Sequence, residues 1–148
     1  MKNMMARVAL VLWVALMSFS LQAQAQDSAP AQSPENFKLL LEVNSASQES
    51  WHGAISTARQ VMTTIGMDKA QIEVVAWGPG IKMLLKNSPV AENIQSLSMY
   101  GIKFLACNNT MKAMKIQPTD LAEGVTIIPA AVVHIVQRDH EGWTQIKM

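Results

Sequence analysis

The chain has 148 residues, of which 49% are apolar and 16% charged, with one cysteine and a formal net charge of +1. That length suits a single domain, and the apolar content excludes a disordered chain. The near-zero charge offers no electrostatic footprint for nucleic acid, and a lone cysteine excludes an intrachain disulfide framework.

Residues 1–25 read as a secretory signal peptide. Lys2 and Arg7 form a positive leader, Val8 to Leu21 is an apolar run, and Ala23-Gln24-Ala25 is an A-x-A cleavage site. A membrane-spanning helix needs about 20 apolar residues. This run is shorter, so cleavage is favoured over an uncleaved anchor, and the mature chain is expected to be periplasmic, starting at Gln26, with no membrane attachment. Loss of Lys2 and Arg7 turns its charge balance slightly negative. Residues 26–36 are polar, with two prolines, and read as a flexible leader. Residues 37–148 form the folded domain.

Within the domain, strand and helix signals alternate. Phe37 to Val43 is a near-continuous apolar run, as expected for a strand covered on both faces. Ser45 and Gln48 have capping-box spacing. Trp51, Ile55, Ala58, Met62 and Ile65 follow at helical spacing, and Gly66 offers a stop. Ile72 to Trp77 is a second strand that runs into Gly78-Pro79-Gly80, which breaks regular structure. A short helix is expected over Ile81 to Lys86. Ser88-Pro89 then opens a helix with Val90, Ile94 and Leu97 on one face, closed by Gly101.

Ile102 to Cys107 is a third strand. Asn108 or Asn109 can cap a short helix reaching Ile116, and Pro118 ends it. After one more turn to Gly124, Val125 to Ile128 is a fourth strand. Pro129 opens a helix with Val132, Val133 and Val136 apolar, Gly142 ends it, and Trp143 to Lys147 is an edge strand. Strands separated by helices imply βαβ units. The expected fold is α/β, a three-layer α/β/α sandwich with a mainly parallel five-stranded sheet.

Ligands of open parallel sheets bind beyond the carboxyl ends of the strands. The loops to consider are therefore Asn44-Ser45, Trp77 to Gly80, Cys107 to Thr110, and Pro129. Cys107 ends a strand and precedes a helix, whose free N–H groups and partial positive charge favour a thiolate. Free cysteine is also among the most buried residue types, so a structural role stands beside the reactive one. Gly78-Pro79-Gly80 matches neither a dinucleotide nor a nucleoside-triphosphate fingerprint, and a plain tight turn is the better reading. No histidine or cysteine spacing supports a metal site, and no cofactor is indicated. His134 reads as a helix-surface imidazole.

Val74-Val-Ala-Trp-Gly-Pro-Gly-Ile81, Gly101-Ile-Lys-Phe-Leu-Ala-Cys-Asn-Asn-Thr-Met111, Gly124-Val-Thr-Ile-Ile-Pro129, Gln137 and Gly142-Trp143 together resemble the DsrE/DsrF-like family. The most specific piece is the segment around Cys107. The resemblance implies a compact α/β/α domain that assembles as a homo-oligomer, a trimer or hexamer. It also implies a sulfur-relay chemistry in which a cysteine takes up sulfane sulfur as a persulfide and passes it to a partner protein.

On that reading Cys107 is the nucleophile. The backbone of Asn108, Asn109 and Thr110 steadies the thiolate, and Trp77, Gly78 and Gly80 wall the pocket. The alternative is a non-catalytic oligomeric binding or assembly module in which Cys107 is structural.

Overall fold

The computed structural model describes residues 36–148. The expected signal peptide and all of the expected leader except its last residue lie outside the described residues. Five strands, β1 (Phe37–Val43), β2 (Ala70–Ala76), β3 (Lys103–Cys107), β4 (Val125–Ile128) and β5 (Thr144–Lys147), form one sheet in the order β4-β3-β2-β1-β5. Every neighbouring pair is parallel. Four α-helices connect them: α1 (Gln48–Ile65), α2 (Ala91–Met99), α3 (Asn108–Met114) and α4 (Ala131–His140). Two 3-10 helices, η1 (Gly78–Leu84) and η2 (Pro118–Asp120), complete the described residues.

The strand order dictates where the helices lie. From β1 to β4 the chain steps in one direction across the sheet, and from β4 to β5 it returns to the opposite edge. Parallel crossovers are right-handed, so reversing direction moves the connection to the other face. The first face carries α1, η1, α2 and α3 over the larger core, which includes Leu39, Leu41, Val43, Val74, Ala76, Phe104 and Ala106. The second face is covered by α4, over Leu40, Val75, Leu105 and Cys107. The three-layer sandwich expected from the sequence is present, with unequal layers. Because both faces are covered, β1 to β3 read as nearly unbroken apolar runs. Each fully buried aliphatic side chain there contributes about 1.5–3 kcal/mol.

Helix α1 buries Trp51, Ala54, Ile55 and Ala58 against the sheet, and Gly66, at φ 99°, ends it by donating its N–H to the Met62 carbonyl (3.0 Å). Several boundaries differ from the sequence reading. The Ser45–Gln48 capping box does not form: Ser47 is the N-cap, and the Ser45 hydroxyl accepts the Ser47 N–H while its carbonyl accepts the Trp51 indole N–H at 2.8 Å. Gly78-Pro79-Gly80 opens η1 instead of breaking structure, since proline suits a first-turn position. Pro129 likewise precedes its helix, which is capped at Ala130. The apolar valines of α4 point outward: Val132, Val133 and Val136 are exposed, and Ala131 and Ile135 face the sheet.

Gly80 explains how η1 fits. A Cβ at this position would lie 2.2 Å from the Val43 carbonyl oxygen, so the backbone of η1 rests directly on the end of β1. Gly78 sits at φ 51° with open space around it. Among the described residues, no helix is long and apolar enough to cross a membrane.

Candidate functional site

Cys107 and Ile128 are the last register partners of β3 and β4. Beyond them the chain diverges: after β3 it enters α3 on the first face, and after β4 it enters α4 on the second. This is a topological switch point, where open parallel sheets form their binding crevice. The Cys107 side chain belongs to the second face, with Leu105, Ala131 and Trp77 in the same packed cluster.

Two helix starts converge on the sulfur. Cys107 is itself the N-cap of α3, so Asn108 and Asn109 are its first helical residues and not the caps expected from the sequence. The cysteine side chain closes no full cap hydrogen bond within α3. The bond with good geometry comes from across the crevice, where the Ala131 N–H, the first of α4, donates to Cys107 Sγ at 3.4 Å. Burial pushes the Cys107 thiol up. The Ala131 N–H, the Thr110 hydroxyl and the N–H dipoles of Thr110 and Asn109 outweigh it, so the thiol titrates below its ordinary value.

Thr110 connects this group to η1. Its hydroxyl oxygen accepts the Gly78 N–H at 3.1 Å, which leaves the hydroxyl proton free to turn toward the sulfur. Trp77 stands one residue past the Ala76–Ala106 pair, beside Cys107, and its own N–H donates to the Val43 carbonyl at 3.1 Å. The Trp77 indole Nε1 is buried and has no hydrogen-bond partner among the described residues. Such an orphan donor costs about 1–3 kcal/mol and is unusual.

The residues singled out from the sequence therefore sort clearly. Cys107, Thr110, Trp77 and Gly78 come together, with Asn109 contributing through its backbone. Asn108 is half-buried, Asn109 is exposed, and Gly80 serves backbone packing away from the sulfur. Ala131 was missed, because a backbone donor from another segment leaves no mark in composition or spacing. Cys107 is 5% exposed and therefore buried. Among the described residues no cluster of His, Cys, Asp and Glu could hold a metal ion.

A second polar group lies further along α4. Glu73, on β2 and 1% exposed, accepts bonds from Arg138 Nε (2.9 Å) and Nη2 (2.8 Å) and from His134 Nε2 (2.7 Å). Lys103 Nζ lies 3.7 Å away. His134 is thus a hydrogen-bond partner of a buried carboxylate and not a free surface imidazole. Burial pushes the Glu73 carboxyl up, but the hydrogen bonds and charges of Arg138 and His134 outweigh it and hold the group below its ordinary value.

An open, all-parallel sandwich with a thiol at its switch point, under the first N–H of the return helix, defines the class of protein. The family model described as DsrE/DsrF-like matches residues 25–148, and the chain belongs to that family. A protein of unknown function, MTH1491, from Methanobacterium thermoautotrophicum is 30% identical, with a TM-score of 0.72 over 76% of this chain and 100% of that one. The ychN protein from E. coli shares the fold at 14% identity, with a TM-score of 0.60 over 76% of this chain and 99% of that one. A conserved protein of unknown function, BT1422, from Bacteroides thetaiotaomicron does so at 14% identity, with a TM-score of 0.59 over 80% and 99%. No curated protein matches the chain.

Proposed function

We propose that this is a periplasmic sulfur-handling protein that carries sulfane sulfur as a persulfide on Cys107. The observation that carries the reading is the 3.4 Å bond from the first N–H of α4 to Cys107 Sγ. It puts a second helix N-terminus on a cysteine that already caps its own helix, an arrangement suited to a thiolate and to the anionic outer sulfur of a persulfide. Membership of the DsrE/DsrF-like family supports a sulfur-relay role.

In the simplest step the Cys107 thiolate attacks the outer sulfur of a donor persulfide, R–S–SH. A new S–S bond forms on Cys107, the donor S–S bond breaks, and its electron pair leaves with the thiolate R–S⁻. Sulfane sulfur moves with no net oxidation, so no cofactor is required. A polysulfide or a thiosulfonate serves as donor by the same displacement. Transfer to an acceptor thiol on a partner protein reverses the step. Exposure of the exported protein to polysulfide, followed by mass analysis, tests the proposal: one added sulfur that disappears in Cys107→Ser supports it, and an unmodified Cys107 defeats it.

The burial of Cys107 favours a second reading, a homo-oligomeric binding or assembly module in which the thiol is structural. Exposed Val132, Val133 and Val136 along α4 suit such assembly, with a trimer or hexamer in keeping with the resemblance. Cys107→Ser separates the two, because lost stability with intact function favours the module.

A further inference from the structure

We propose that Glu73, acting through Arg138 and His134, is a positioning residue for Cys107: it clamps α4 so that the first N–H of that helix stays on the sulfur. The inference rests on the reading of Cys107 as a working thiolate, and deepens it.

The geometry is that of one rigid rod fixed at two points. Ala131, His134 and Arg138 are spaced at i, i+3 and i+7, so they share one face of α4. At one end of that face the Ala131 N–H reaches Cys107 Sγ. About 10 Å along the axis, at 1.5 Å per residue, Arg138 grips both carboxylate oxygens of Glu73 while His134 bonds one of them from a turn nearer. Glu73 is ionised, so the imidazole Nε2–H donates to it.

The other lateral contacts of the helix are a small apolar face and a few polar bonds near its C-terminal end. Its outer face is exposed valine, and its apolar contact with the sheet comes mainly from Ala131 and Ile135. The Arg138 guanidinium also lies 4.8 Å over the Trp143 ring and bonds Glu141, and Gln145 Nε2 donates to the Ile135 carbonyl. The two-pronged Arg138 grip and the His134 bond to a buried carboxylate add directional specificity, which fixes the position and rotation of α4.

The sign of the expected effect distinguishes positioning from simple electrostatics. The charges around the clamp are Glu73, His134, Arg138, Lys103 and Glu141, with Lys38 bonded to the Glu141 carbonyl. Removing the negative charge of Glu73 would, through space alone, ease ionisation of the thiol. Loosening α4 would hinder it.

The experiment is a thiolate absorbance titration of the full chain, with Cys107→Ser as the blank, on the parent protein, Glu73→Gln and Arg138→Lys. Positioning predicts that both variants titrate higher, with about threefold less thiolate at neutral pH. Arg138→Lys keeps the charge and loses the two-pronged grip, so its shift reports geometry, and it decides the matter if Glu73→Gln does not fold. An unchanged or lowered midpoint in folded variants, even with reduced melting temperature, overturns the clamp. A parent thiol titrating at the free-cysteine value overturns the reading of Cys107 itself.

Discussion

Cys107 and Ile128 face each other as register partners at the ends of β3 and β4, yet the chain leaves them toward opposite faces of the sheet. That divergence is why the backbone N–H of Ala131, three residues after the end of β4, can meet a sulfur 24 residues earlier in the chain.

Thr110→Val keeps the shape of the side chain and removes its hydroxyl. The part-buried Gly78 N–H then loses its acceptor, and the sulfur loses a neighbouring donor. The expected cost is about 1–3 kcal/mol of stability, with the thiol titrating higher. Thr110→Ser should retain most of both properties. Chemical denaturation and a thiolate titration on the two variants check this.

The two glycines of the turn should behave differently. Gly80→Ala drives a methyl into the Val43 carbonyl, 2.2 Å away, and should prevent η1 from seating on β1. Gly78→Ala meets open space and is strained only by its φ of 51°, at about 1 kcal/mol. Thermal melts should show a large loss for the first and a small one for the second.

Stability should fall in acid because of Glu73. Its folded-state pKa is depressed, so its contribution is fully present above the ordinary value of 4.5 and is lost as pH falls through the lower folded value. Glu73→Gln should be less stable than the parent at neutral pH and should flatten this acid limb. Denaturation midpoints across the acid range check the slope; an equally steep limb in the variant would assign it to other groups.

Much of the fold was legible because its signals are local. Apolar runs such as Phe37 to Val43 have the length and content of strands covered on both sides, and Gly66, Gly101 and Gly142 mark helix ends through backbone geometry. The errors arose where tertiary context decided. The pattern Val132-Val133-Val136 looks like a core stripe, but α4 instead turns Ala131, His134 and Arg138 inward, since a buried carboxylate on β2 needs partners there. Nothing near Glu73 in sequence announces that need. Its strand-end position marks Cys107 as the candidate centre of the site, beside an equally open structural reading. The principal donor to its sulfur was not legible, because Ala131 contributes only a backbone N–H.

Outward valines on α4 make a prediction about assembly. If copies of the chain meet across this helix, Val133→Lys together with Val136→Lys should shift the protein to monomer, while the thermal melt of the domain changes little, because both positions are exposed. Sedimentation of parent and variant at matched concentration reads the outcome. An unchanged assembly would move the contact to another surface.

The most direct measurement is the mass of the Cys107 peptide after the protein has met polysulfide and then an acceptor thiol. The account predicts one added sulfur on Cys107, lost again to the acceptor, and no addition in Cys107→Ser. A Cys107 that stays unmodified under conditions that label a free thiol would contradict it.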